Sequence, residues 1–118
     1  MKNANIIQQK TFNFALKSIE FYKMLIKESK EFVISRQFLK SSTSIGANIE
    51  EAIGAQSNAD FISKINIAYK EARETRYWLK LIINSGINNG NEAESLINDL
   101  EEIIRIIGKI LVTLKKNH

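Results

Sequence analysis

The amino-acid sequence predicts an all-α protein, an antiparallel up-down-up-down four-helix bundle. Three observations predict it. Proline is absent and only five glycines occur in 118 residues, so helix can run far between breaks. Apolar residues recur at steps of three and four through most of the chain. The polar stretches that interrupt this pattern are short, and short connections favour antiparallel neighbours.

The first connection is expected at Glu28-Ser29-Lys30-Glu31. That stretch is polar but holds no strong breaker, and it is placed by the change of hydrophobic phase at Phe32. The second falls at Gly54-Ala55-Gln56-Ser57-Asn58. There Ser57 is the expected helix cap, with Asp60 three residues on complementing the helix dipole. The third is the clearest, Ser85-Gly86-Ile87-Asn88-Asn89-Gly90-Asn91. Gly86 can end a helix in the left-handed conformation, and Asn91 with Glu94 reads as a capping box for the last helix.

Each segment has an apolar seam with helical spacing. The first offers Ala15, Ile19, Tyr22 and Ile26, with Phe14, Phe21 and Leu25 beside them. The second runs through Phe38, Ser42, Ile45, Ile49 and Ala52. The third follows Phe61, Ile65, Ala68, Ala72, Thr75, Leu79 and Ile82, and the fourth Ala93, Leu96, Leu100, Ile103, Ile107, Ile110 and Leu114. Seams of this kind pack at the shallow angles of bundles and coiled coils.

The last two segments carry further apolar residues: Ile67, Trp78 and Leu81 on the third, and Ile97, Ile104, Ile106 and Leu111 on the fourth. This surplus is expected to be a second buried face through which copies associate, since excess apolar surface on a small domain tends to find a partner. The second segment is dense in small residues, Ser41, Ser42, Thr43, Ser44, Gly46 and Ala47. Poor helix formers in that number suggest close helix packing rather than a ligand pocket.

Size and composition bound the function. Residues 1–118 suit one domain with a real core. Cysteine is absent, which excludes disulfides, zinc–thiolate sites and thiol nucleophiles. No apolar run approaches the ~20 residues that span a bilayer, and MKNANIIQQK lacks a signal-peptide core. A cytoplasmic protein with no membrane contact is therefore expected. The net charge of +4 and pI near 9.4 favour acidic partners such as nucleic acid.

Little in the sequence points to catalysis, and no cofactor or metal is expected. The one histidine is the last residue, His118, and chain ends are poor places for a positioned base or ligand. Ser-His-Asp catalysis and the Glu-x-x-His di-iron signature are thereby excluded. The same lack tells against four-helix ribonucleases that need an arginine closely followed by a histidine, because Arg73, Arg76 and Arg105 have no such partner. Glycines form no phosphate loop. Paired carboxylates, Glu50 with Glu51, Glu71 with Glu74 and Glu101 with Glu102, read as solvated faces or helix ion pairs.

Cations are more suggestive. On the third segment Asn66, Lys70, Arg73, Tyr77 and Lys80 fall on one helix face, flanked by Tyr69 and Arg76. Lysines and arginines interleaved with tyrosines can contact phosphates and stack on bases. A solvated face whose long side chains cover the aromatics is the plainer alternative. Lys109, Lys115 and Lys116 make the last turns basic, which also suits a helix C-terminus.

Across the second and third segments the residues form a recognisable pattern: Ser44, Ile45, Asn48, Ile49 and Glu51, then Asp60 and Phe61, then Ile67 and Ala68, then Glu74, Trp78 and Leu79. In order and spacing this resembles the 23S rRNA intervening-sequence proteins. Ala52 departs from the family, which often has glycine there, and this could move the end of the second helix. The resemblance implies a four-helix bundle that assembles as a homopentamer. It also implies kinship with the accessory protein of diversity-generating retroelements, a basic pentameric barrel associated with nucleic acid and a reverse transcriptase. Ser44, Asn48, Glu51, Glu74 and Trp78 are taken as structural motif residues. Asn48 and Glu51 are expected to bond groups of a neighbouring helix.

Three functions compete. The leading one is a non-enzymatic, homo-oligomeric, pentameric protein binding RNA or DNA through Lys70, Arg73, Arg76, Tyr77 and Lys80. The second is an oligomeric protein-interaction adaptor without nucleic-acid binding. The third is a metal-dependent or nucleotide-modifying enzyme using Glu51 or Glu74, disfavoured by the missing histidine and phosphate loop.

Overall fold

The computed structural model describes residues 2–116; His118 lies outside them. Four α-helices follow in order: α1 (Lys2–Met24), α2 (Val33–Ile53), α3 (Asn58–Asn84) and α4 (Asn91–Lys116). A π-helical turn, Leu25–Ser29, closes α1. No strand occurs among the described residues. The helices pack into a rod of 47 × 21 × 20 Å.

Side-chain pairs fix the directions of neighbouring helices. Gln8 bonds Glu50 and Phe21 meets Phe38 edge to face, so α1 and α2 run oppositely. Lys64 reaches Glu51 while Thr75 reaches Ser41, which makes α2 and α3 antiparallel. Arg76 pairs with Glu101 and Tyr69 lies against Gly108, so α3 and α4 oppose. Lys10 pairs with Glu102 and Lys17 with Asp99 and Ser95, closing the bundle. The expected up-down-up-down bundle is thus observed, with α1 and α3 on one diagonal, each packed against α2 and α4.

The connections follow local chemistry. Ser57 caps α3 by accepting from the Asp60 N–H at 3.1 Å, as expected. Gly86 adopts a left-handed φ of 85° just after α3, and the Asn88 N–H donates back to the Ile82 carbonyl. α2 ends at Ile53 despite Ala52, and the Gly54 N–H donates to the Glu50 carbonyl. The capping box at Asn91 does not form. Asn88 accepts from the Gly90 N–H, and the Gly90 carbonyl accepts the first helical bond from Glu94. Asn91 is therefore already the first residue of α4. Between α1 and α2 the break is made by Lys30 in the left-handed region, φ 50°. Glu31 then caps α2, its carboxylate accepting from the Val33, Ile34 and Ser35 N–H groups.

The core follows three of the four expected seams. In α2 the whole series is buried, and in α3 and α4 all but Phe61 and Leu114, which are half-buried. Each large apolar side chain removed from water contributes roughly 1.5–3 kcal/mol. The α1 seam differs from the expectation. Its buried positions are Ile7, Thr11, Phe14, Ser18, Phe21 and Leu25, whereas Ala15, Tyr22 and Ile26 are half-buried and Ile19 is exposed. The seam includes two hydroxyl residues, so counting only apolar residues rotates it to the wrong side.

The small residues of α2 serve close packing. A Cβ at Gly46 would lie 3.4 Å from the Thr11 carbonyl oxygen of α1, and Ser41 touches Thr75 of α3. The surplus on α4 also finds a plain use: Ile104 and Leu111 are buried within the chain. Exposed apolar residues concentrate instead on α1, where Phe12 is 61%, Leu16 50% and Ile19 36% exposed. Of the remaining surplus, Ile67 is exposed, and Trp78, Leu81, Ile97 and Ile106 are half-buried.

Candidate functional site

α3 buries Ile65, Ala68, Ala72, Thr75, Leu79 and Ile82. Helical spacing then turns Asn66, Lys70, Arg73, Tyr77 and Lys80 outward, and all five are exposed. Lys70, Arg73 and Lys80 make no ion pair among the described residues. Successive members stand about 4.5–6 Å apart along the axis, the rise of three or four residues.

Aromatic groups are interleaved as expected. The Arg73 guanidinium lies 5.8 Å from the centre of the Tyr69 ring, within range of a cation–π contact. Tyr69 packs over Gly108, where a side chain would meet its ring. Tyr77 is 57% exposed and meets Trp78 edge to face at 5.1 Å. The Trp78 Nε1–H donates to Glu74 Oε2 at 3.1 Å. Trp78 packs partly against the core, so it braces Tyr77 from beneath.

Arg76 stands off this row. It is half-buried, and its Nη1 donates to both Glu101 oxygens at 3.2 and 3.4 Å. Its charge is spent on holding α3 to α4. Glu71 flanks the row on the other side. Burial pushes its carboxyl above the ordinary value, nearby Glu74 adds to this, and Lys70 and Lys40 oppose it. No group of three metal-capable side chains occurs among the described residues.

The motif residues make short-range structural links. Asn48 Nδ2 donates to the Ser44 carbonyl at 2.9 Å and to Ser44 Oγ at 3.1 Å. These partners lie one turn back on α2 rather than on a neighbouring helix, because half-buried Asn48 folds along its own helix. Glu51 does reach a neighbour, Lys64 of α3 at 3.1 Å, but as an exposed carboxylate. Ile45, Ile49, Ala68 and Leu79 supply core contacts between these turns.

One feature escaped the sequence pattern altogether. A groove of about 570 Å³ runs between the end of α1 and the start of α4, lined by Leu16, Phe21, Met24 and Leu96 with Lys17, Glu20 and Glu92 at its rim. Only the pairing of α1 with α4 creates it.

The chain matches the 23S rRNA-intervening sequence protein family over residues 3–109. The chain belongs to that family. A crystal structure of a Bacteroides thetaiotaomicron protein of unknown function, described as from the S23 ribosomal protein family, is similar throughout. The two are 49% identical, with 92% of this chain and 97% of that one covered and a TM-score of 0.89. No curated protein matches the chain. No helix of the described residues is long and apolar enough to cross a membrane.

Proposed function

We propose that this family member is a homo-oligomeric scaffold without catalysis of its own, which binds RNA or DNA along the outward row of α3. The observation that carries the proposal is the set of exposed cations Lys70, Arg73 and Lys80, without an ion pair among the described residues, around exposed Tyr77. Cations at this spacing can displace counterions from a phosphate backbone. An exposed tyrosine among them offers a base a stacking surface without sequence preference. The family resemblance supports a pentamer, in which five such rows would raise avidity without any new contact. By the same resemblance a reverse transcriptase is a candidate protein partner.

The test is a binding titration against RNA and DNA at several salt concentrations, comparing the wild type with Arg73→Glu combined with Lys80→Glu. Binding that weakens with salt and is lost in the double variant is expected. Absence of binding at low salt, or unchanged affinity in the double variant, overturns the proposal and leaves the protein-adaptor reading.

A further inference from the structure

We infer that the nucleic acid does not stay on α3: its phosphate backbone crosses onto α4, where Arg105 takes the phosphate next to the one held by Arg73. The inference deepens the proposed function and rests on its reading of α3 as a nucleic-acid surface.

Two contacts between the helices locate Arg105. Glu101 of α4 meets Arg76 of α3, and Gly108 of α4 lies against Tyr69 of α3. Residues three and four apart share one side of a helix. At those steps Arg105 stands between Glu101 and Gly108 on α4, and Arg73 between Tyr69 and Arg76 on α3. The two arginines therefore lie on facing flanks, within one stretch of the junction, and both are exposed. Axes of packed helices are about 8–10 Å apart, a gap that two long side chains can bridge with a ligand between them. At Gly108 no side chain rises into that gap, and the half-buried Tyr69 ring floors it. The same ring steadies Arg73, whose guanidinium lies 5.8 Å from its centre.

Nothing within the chain accounts for Arg105. The acids one turn before it, Glu101 and Glu102, are engaged by other helices, through Arg76 and Lys10. Arg105 makes no ion pair among the described residues. From Ile103 to Lys116 the sequence holds no acid at all. The helix dipole favours cations within the last turn, which here holds Lys115 and Lys116. Arg105 comes about three turns earlier.

The surroundings sharpen the point. Lys109 follows Arg105 by one turn, exposed and likewise without an ion pair among the described residues. Like charges at that step destabilise a helix. Lys70 and Arg73 repeat the arrangement on α3. These cations crowd both sides of a junction where Glu101 is already held by Arg76. A clustered charge of one sign attracts a counter-charge of matching extent. A phosphate backbone supplies it, one charge per nucleotide, and the arginine fork matches phosphate oxygens in geometry.

The experiment measures the salt dependence of binding to single-stranded RNA and to duplex DNA. It compares the wild type with Arg73→Gln, Arg105→Gln, Arg105→Lys and Arg36→Gln, with thermal melts to verify folding. Arg36, an exposed cation of α2, is the control. Arg105→Gln is expected to melt as the wild type does and to lower the slope of log affinity against log salt by about 0.7–0.9, the value for one phosphate contact. Arg105→Lys keeps the slope because it keeps the charge, and Arg36→Gln leaves it unchanged. A wild-type slope for Arg105→Gln beside a reduced one for Arg73→Gln overturns the crossing and leaves the α3 reading standing. Equal reductions for Arg36→Gln and Arg105→Gln also overturn it, since they mean a diffuse response to net charge. No binding by the wild type at low salt, or no change for either Arg73→Gln or Arg105→Gln, overturns both readings.

Discussion

Thr75 Oγ1 of α3 lies 2.9 Å from Ser41 Oγ of α2, both fully buried where the two helices pack closely. Each hydroxyl also has a carbonyl of its own helix in reach, Glu71 for Thr75 at 2.8 Å and Phe38 for Ser41 at 3.2 Å. Two protons serve three contacts, so when Thr75 donates to Ser41 the Ser41 hydroxyl donates on to the Phe38 carbonyl, and the two hydroxyls share one arrangement. Removing one member disturbs its partner. Thr75→Val and Ser41→Ala are each expected to cost about 1–2 kcal/mol. The double variant should cost less than their sum, with a coupling of about 0.5–1 kcal/mol. Urea unfolding of the four proteins measures it, and strict additivity would show that the hydroxyls act separately.

Ser18 presents the opposite case. It is buried on the α1 seam, and its hydroxyl has no partner among the described residues. An unpaired buried hydroxyl carries its full desolvation penalty. Ser18→Ala removes that penalty and improves helix propensity, so it should stabilise the fold by about 1 kcal/mol. A lower urea midpoint for the variant would count against this account.

Two glycines should respond oppositely to alanine. Gly86 holds a left-handed φ of 85°, so Gly86→Ala is expected to cost about 1 kcal/mol although nothing crowds the position. Gly108 sits inside α4 with only Tyr69 Cε1 near, 3.8 Å from where a Cβ would stand. There Ala gains helix propensity and meets an ordinary contact, so Gly108→Ala should stabilise by about 1 kcal/mol. Thermal melts of the two variants should move in opposite directions.

Two carboxylates should give opposite pH signatures. At Glu31, burial raises the pKa, but the N–H groups of Ser35, Ile34 and Val33 and the Ser35 hydroxyl together outweigh it and hold the carboxyl below 4.5. Its ionised form favours folding. That contribution is present above the unfolded value and is lost as pH falls through the folded one. At Glu71, burial and then Glu74 hold the carboxyl above 4.5. Ionisation there disfavours folding, so stability associated with its proton is lost as pH rises through the folded value. Glu31→Gln should therefore destabilise most at neutral pH and least in acid, whereas Glu71→Gln should stabilise at neutral pH. Urea midpoints from pH 7 down to about pH 3 test both signs.

How far these features were legible varies by helix, for physical reasons. The α4 seam was readable because large apolar residues fill nearly every seam position, and the α2 seam because Phe38, Ile45 and Ile49 mark it at helical spacing between the small residues. The α1 seam was not, because Thr11 hides its polarity by donating to the Ile7 carbonyl at 2.8 Å. Ser57 announced its cap, but Lys30 gave no sign of its left-handed turn, since lysine has no preference for that region. Burial of Ile104 and Leu111 depends on which helices flank α4, which periodicity alone does not reveal. The outward row of α3 was readable from spacing. The engagement of Arg76 was not, because its partner Glu101 is a residue of another helix.

That difference between Arg76 and its neighbours supplies the last prediction. If the α3 row contacts phosphates, each cation contributes to the salt dependence of binding. Lys70→Gln, Arg73→Gln and Lys80→Gln should each reduce the slope of log affinity against log salt by about 0.7–0.9, the value for one lost phosphate contact. Arg76→Gln should leave that slope unchanged, because its guanidinium is held by Glu101, and should lower stability instead. Tyr77→Ala should weaken binding by about 1–3 kcal/mol without changing the slope, and Tyr77→Phe should retain binding, since stacking needs the ring and not the hydroxyl. Titrations at several salt concentrations, paired with melts, separate these outcomes. A slope that changes for Arg76 as much as for Lys70 would mean that binding pulls Arg76 away from α4.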